Sequence, residues 1–167
     1  MKRVFLVSCF VFLTSVMAAC APASDEAAGI TVENVRANMT LPTDTGSFWM
    51  AITNHSSIDD ALTGAAVNGC GVVEFHNMFM EEGVMVMRPV EGGQIPIPAG
   101  ATVELKPGGL HVMCLQKAAP LELGTKVNVS LAFANAGTME VEATVVEPAT
   151  SSDMNMEGGE MDMEGGN

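Results

Sequence analysis

Between Ile30 and Val146 the chain runs in short stretches of alternating apolar and polar residues, closed by Gly, Pro, Asn or Asp. A period of two puts successive side chains on opposite faces of a strand, so these stretches can bury one face each in a sheet. The clearest are Lys126–Ala134 (KVNVSLAFA) and Met139–Val146 (MEVEATVV), joined by Asn135-Ala136-Gly137 as a hairpin turn. Ile30–Arg36, Phe48–Thr53, Asp60–Ala66, Val72–Met78, Val84–Arg88, Thr102–Leu105 and Leu110–Leu115 read as further strands, with a loop over Pro42–Gly46. Lys106-Pro107-Gly108-Gly109 is a strong turn signal. No segment carries a long helical period. Seven to nine short strands at this spacing predict an all-β, two-sheet sandwich. The span from Ile30 to Pro148, roughly 120 residues, suffices for one core and not for two.

The segments outside this span have other compositions. Met1–Ala19 reads as a signal peptide, with Lys2 and Arg3 ahead of an apolar run, Val4–Met17, too short to span a membrane comfortably. Val16-Met17-Ala18-Ala19-Cys20 resembles a bacterial lipobox, with Met17 where Leu is more usual. Cys20 is then the lipidated residue; the plainer alternative is cleavage near Ala19 or Ala21 without a lipid. Ala21, rather than Asp, after the cysteine favours the outer membrane by resemblance to Gram-negative lipoproteins. Residues 20–29 read as a flexible, acidic spacer. Residues 149–167 form a Gly-rich acidic tail that contains a repeat, Met154-Asn155-Met156-Glu157-Gly158-Gly159 and Met161-Asp162-Met163-Glu164-Gly165-Gly166. Such a segment cannot bury a core and is expected to be disordered. Its four methionines, Met154, Met156, Met161 and Met163, therefore have no packing role and suggest a second, weaker Cu(I) site; the alternative is a solubilising tail.

The chemistry concentrates in Phe75–Leu115, which holds two of the three histidines. His76-x-Met78 opens this stretch and His111-x-Met113 closes it. Residues i and i+2 of a strand share a face, so each unit can present an imidazole beside a thioether. A lone Met is ordinarily core filler and a lone His ordinarily a satisfied surface or core residue. The repeated His-x-Met unit, with Met85-x-Met87 between, points instead to a soft, neutral metal site. Thioethers favour Cu(I), and imidazole suits copper generally. A hairpin turn centred on Glu81-Glu82-Gly83 sets His76 opposite Met87 and Met78 opposite Met85. His55 lies in a polar turn outside these units. Arg88 falls on the opposite strand face from Met87 and reads as structural or partner-facing.

His76, ten residues, Met87 and then His111-x-Met113 resemble the signature of periplasmic copper chaperones of the PCu(A)C type. Gly83–Val90 (GVMVMRPV), Ile97–Met113 (IPAGATVELKPGGLHVM) and Leu62–Gly64 (LTG) resemble the family too. The likeness covers about Ile30 to Val146. Met87 and His111 lie slightly further apart than the family usually has them, which implies a small insertion around Gly92–Pro96. The resemblance implies a cupredoxin-like Greek-key sandwich and the ligand set His76, Met87, His111 and Met113. Only the family pattern selects Met87; on the predicted face Met78 or Met85 could replace it. It also implies delivery of Cu(I) to the binuclear copper centre of cytochrome c oxidase subunit II, often with a thioredoxin-fold copper chaperone assisting.

Four cysteines are present, of which Cys9 leaves with the signal and Cys20 is assigned to lipid. Cys70 and Cys114 remain, and outside the cytoplasm they are candidates for a disulfide, although spacing cannot establish their separation. They lack the CxxC spacing of a thioredoxin-like redox pair, and Cys114 follows His111 and Met113 rather than preceding them as in a blue-copper loop. Without Lys2 and Arg3, five basic residues face twenty acidic ones. That balance excludes nucleic acid and, apart from the anchor, anionic membrane surfaces as partners. No readable catalytic triad, phosphate loop or hard-ligand zinc cluster suggests an enzyme. The expected function is an extracytoplasmic copper chaperone. The alternatives are a copper-sequestering resistance lipoprotein, which the tail favours, and a metal-free envelope scaffold, which the paired His-x-Met units disfavour.

Overall fold

A computed structural model describes residues 26–27 and 29–149. The signal peptide, Cys20, most of the spacer and the tail methionines Met154, Met156, Met161 and Met163 lie outside the described residues. The architecture is all-β. A two-residue strand β1 (Glu26–Ala27) pairs with β2 (Ile30–Asn38), and β2 pairs antiparallel with the long strand β3 (Thr45–Asn54). Next come β4 (Asp60–Val67), the hairpin of β5 (Cys70–Glu81) and β6 (Val84–Pro89), a 3-10 turn at Glu91–Gly93, and the short strands β7 (Ile95–Ile97) and β8 (Thr102–Leu105). β9 (His111–Lys117), β10 (Lys126–Phe133) and β11 (Gly137–Val145) complete the domain.

Strand pairing follows the path β6-β5-β9-β3-β2-β11-β10-β4-β7, with β8 on the far half of β3. β3 is central because it is apolar on both faces. Phe48, Trp49, Met50 and Ile52 are all buried, as a strand covered on both sides requires. Its first half, Thr45–Phe48, pairs with β9, and its second half, Met50–Thr53, pairs with β8. The path folds back on itself, and the two layers enclose one core that includes Ile30, Leu62, Phe75, Ile95, Val112, Leu131 and Val141. This is the predicted all-β sandwich.

The β10–β11 hairpin has the expected alternation: Val127, Val129, Leu131 and Phe133 point inward and face Met139, Val141 and Ala143 across the ladder. Asp60 at the start of β4 holds its turn. The carboxylate accepts from the amides of Asn135 (2.9 Å) and Ala136 (2.9 Å) and from Ala61 (2.7 Å). At the same end of the sandwich, the buried Asn54 side chain donates to the carbonyls of Ile58 (2.8 Å) and Ile97 (3.1 Å), and Ile97 is the cross-strand partner of Asp60.

Two expectations need correction. First, the β5–β6 register differs by two residues. His76 lies opposite Pro89, and Met78, not His76, lies opposite Met87; Met85 faces Met80. The turn has two residues, Glu82 (φ 49°) and Gly83 (φ 80°), both left-handed, as the two-residue hairpin turn that matches strand twist demands. The expected turn, centred on Glu81-Glu82-Gly83, had one residue more. Second, Thr45 and Gly46 belong to β3 rather than to a loop. The region around Gly92–Pro96, for which the sequence predicted no strand, contains the 3-10 turn and part of β7, an edge strand on β4 whose proline costs no ladder bond.

Candidate metal centre

β5, β9 and β3 are neighbours in the sheet, and their registers bring the two His-x-Met units together. His76 on β5 is the direct cross-strand partner of His111 on β9. The rings meet edge to face with centroids 5.9 Å apart. One rung along, Met113 stands opposite Glu74 on one side and Ser47 on the other. One rung the other way, Met78 stands opposite Met87. Residues directly opposite in an antiparallel pair share a face. Glu74, His76, Met78, Met87, His111 and Met113 therefore make one patch on the side of β5 and β9 away from Phe75 and Val112, which enter the core.

Both imidazoles are buried, His76 at 7% and His111 at 6% exposure. Each is held by one ring nitrogen. His111 Nδ1 donates to the Gly109 carbonyl at 2.9 Å, which leaves Nε2 as the lone-pair nitrogen. His76 Nε2 donates to Glu74 Oε2 at 2.8 Å, and its Nδ1 is buried without any hydrogen-bond partner. A buried nitrogen without a partner is costly. Here it is an unprotonated nitrogen on a ring that faces His111 edge to face. Burial lowers the His111 pKa, and the adjacent His76 acts in the same direction, against the opposing effect of the Gly109 bond. The ring is thus kept neutral, the form that binds metal.

The thioethers adjoin a surface cavity of about 220 Å³, lined by Met78, Met87, His111 and Met113 together with Trp49 and Pro107. Met113 is buried, Met78 half-buried and Met87 exposed, so the patch grades from core to solvent. Met85 does not line the cavity. Among the described residues, no group of three or more His, Cys, Asp or Glu side chains could hold a metal ion. A metal here would depend on sulfur as well as nitrogen, and two nitrogens with up to three thioethers fit Cu(I).

Cys70 and Cys114 are joined as a disulfide with Cα atoms 5.5 Å apart. It ties the start of β5 to β9, the strands that carry the two histidines. His55 is remote from the site, where Nε2 meets Thr31 Oγ1 at 3.0 Å. Arg88 pairs with Glu81 at 2.7 Å on the exposed hairpin. The sequence reading overlooked Glu74, although its position two residues before His76 on the same strand face was the available signal. It also overlooked Trp49 and Pro107, whose contribution depends on tertiary packing.

Comparison with known proteins agrees with this fold. The family described as "Putative lipoprotein LpqE-like" matches residues 30–145. A curated relative, "Putative lipoprotein Lxx21020" of Leifsonia xyli subsp. xyli (strain CTCB07), is 30% identical over 128 residues, 74% of this chain and 76% of its own. Among solved structures, the copper-bound PCuAC domain from PmoF2 superposes with a TM-score of 0.63 at 22% identity, covering 74% of this chain and 97% of that domain. The Cu(I) form of DR1885 from Deinococcus radiodurans gives a TM-score of 0.50 at 27% identity, covering 77% of this chain and 80% of that one. The chain belongs to the LpqE-like lipoprotein family, and its folded part has the architecture of a PCuAC domain.

Proposed function

We propose that the protein is a copper carrier of the cell envelope that binds one Cu(I) ion at His76, His111 and Met113, with Met87 and Met78 completing the site, and passes the ion to an acceptor. The observation that carries this reading is the pair of buried, facing imidazoles, each oriented by its own hydrogen bond, with His76 Nδ1 left without a partner, while His111 and the thioethers of Met78, Met87 and Met113 line a surface cavity that His76 itself does not line. Copper is the cargo, and no chemistry on a substrate is required. The copper-bound relatives support the choice of metal.

Handover follows from the ligand types. Thioethers are weak neutral donors, so an acceptor's thiolates or imidazoles can replace them one at a time without leaving a buried charge. Met87, the most exposed of the cavity methionines, is the natural first ligand to leave. The hairpin end beside it exposes Phe79, Met80 and Val84, an apolar patch suited to docking. The acceptor named by the family resemblance is the binuclear centre of cytochrome c oxidase subunit II, with a thioredoxin-fold copper chaperone assisting. Attachment through Cys20 would keep the carrier at the membrane surface.

The second reading, copper sequestration, is favoured by the Met-rich tail. Transfer separates the two. Cu(I)-loaded protein mixed with the apo copper domain of an oxidase subunit II should metallate that domain within minutes. Retention of the ion by the loaded protein would favour sequestration.

A further inference from the structure

β6 ends the strand path on the side of the metal centre and, among the described residues, pairs only with β5. The strand at the other end of the path, β7, has three residues with a proline in the middle. A short edge with a proline resists pairing with another chain. β6 has no such block between Val84 and Arg88. Two features show which of its peptide groups point outward. The Val90 amide donates to the Phe75 carbonyl at 2.8 Å, and the two-residue turn at Glu82-Gly83 makes Glu81 and Val84 a hydrogen-bonded pair. Hydrogen-bonded pairs alternate along an antiparallel ladder, so Val84, Val86 and Arg88 turn their N–H and C=O groups to β5. Met85 and Met87 turn theirs away from the sheet, and no backbone bond from a turn or loop of the described residues reaches them.

Met87 therefore has two open sides. Its side chain lines the metal cavity, and its peptide groups lie bare on the sheet edge. Beside that edge both faces of the hairpin are apolar and exposed, with Met80 and Met87 on the copper face and Phe79 and Val84 on the other. An added strand covers both faces, because its side chains alternate between them. Charge selects the occupant. Glu82 in the turn and Glu91 beyond the strand are exposed and join no ion pair among the described residues, and Arg88 pairs with Glu81. The formal net charge of the chain is -13, so a second copy is repelled and a basic segment attracted.

We propose that the outer edge of β6 is the docking edge for the copper acceptor, which lays an extended apolar segment with basic flanks along Met85 and Met87. The segment becomes an added strand, held by the N–H and C=O groups of these two residues. This rests on the copper-carrier reading and deepens it. A residue of the segment directly opposite Met87 has its Cβ about 5 Å from that of Met87 and on the same face. An acceptor ligand at that position meets the ion beside the thioether it replaces. Backbone pairing thus sets the register, and the side chain opposite Met87 receives the copper.

The test uses the full chain, ¹⁵N-labelled and loaded anaerobically with Cu(I). The probes are two synthetic peptides of alternating valine and threonine, one ending in lysines and the other in glutamates. Amide hydrogen exchange is followed by NMR in the parent, Met85→Pro and Val84→Lys, and Cu(I) affinity is measured on each. At a lysine-peptide concentration about ten times Kd, exchange at Met85 and Met87 should slow about tenfold. Met85→Pro removes an outward N–H and no ladder bond, so it should abolish the slowing at Met87 with Cu(I) affinity unchanged. Val84→Lys leaves the backbone intact and repels a basic segment, so it should weaken peptide binding about tenfold; it carries the test if the proline variant does not fold. No slowing at Met85 and Met87 with millimolar lysine peptide would overturn the docking edge, as would slowing that survives the substitutions. Equal slowing by the glutamate peptide would overturn the choice of a basic partner. Slowing without peptide that grows with protein concentration would assign the edge to a second copy and overturn the proposal. A parent that binds no Cu(I) but shows the slowing would overturn the copper-carrier reading alone. A parent that binds Cu(I) without the slowing would overturn the docking edge alone.

Discussion

At the scale of the residue, the centre depends on which ring nitrogen is left free. Glu74 fixes His76 through Nε2, and the Gly109 carbonyl fixes His111 through Nδ1. Partners that orient a ligating histidine are worth about 10- to 100-fold in metal affinity. Glu74→Gln should therefore weaken Cu(I) binding about tenfold while leaving thermal stability nearly unchanged, since Glu74 is exposed. Competitor titration and a melting curve on one preparation test both halves. Among the methionines, Met113→Leu should weaken binding more than Met78→Leu, and Met85→Leu should have no effect. Asp60 provides a control remote from the copper. Burial tends to raise its pKa, but the amides of Asn135, Ala61 and Ala136 outweigh burial and hold its carboxyl below the usual aspartate range. A carboxylate whose folded pKa is depressed contributes stability that is present above its unfolded pKa and lost as pH falls through the folded one. The domain should thus lose stability below about pH 4, and Asp60→Ala, which costs about 1–3 kcal/mol at neutral pH, should flatten that dependence. Denaturant melts between pH 7 and pH 3 give the answer.

At the scale of the element, the proposed copper face is set by register. β5 and β9 place His76 opposite His111, and the Cys70–Cys114 bridge pins the same pair of strands across 44 residues of sequence. Cys70→Ser/Cys114→Ser should cost about 2–4 kcal/mol of stability and should lower copper affinity by loosening the histidine pair. A melt that moves while affinity stays fixed would limit the bridge to a stabilising role. Most strands could be read from the sequence because alternation such as KVNVSLAFA carries its own face assignment. The β5–β6 register could not, because it depends on Glu82 adopting φ 49°, a choice made by strand twist rather than by Glu itself. The error was an even number of residues, so every side chain kept its face, and His76, Met78 and Met87 still fell on one side. β7 was missed because Ile95-Pro96-Ile97 resembles a break; at a sheet edge the proline is tolerated. Glu74 was passed over because a carboxylate in a strand ordinarily faces water, and only the folded ladder shows it hydrogen-bonded to His76.

At the scale of the whole molecule, a β-sandwich presents the proposed soft metal site at its surface, with an apolar hairpin end beside it. That combination suits an ion held tightly enough to carry and loosely enough to pass on. The claim on which it depends is that His76 and His111 hold copper together. The most direct test is an anaerobic Cu(I) titration of the full chain against a chromophoric competitor, beside His76→Ala/His111→Ala with its fold checked by circular dichroism. The account predicts one tight equivalent in the parent and none in the folded variant. A folded variant that binds Cu(I) with the parent's stoichiometry and affinity would contradict it.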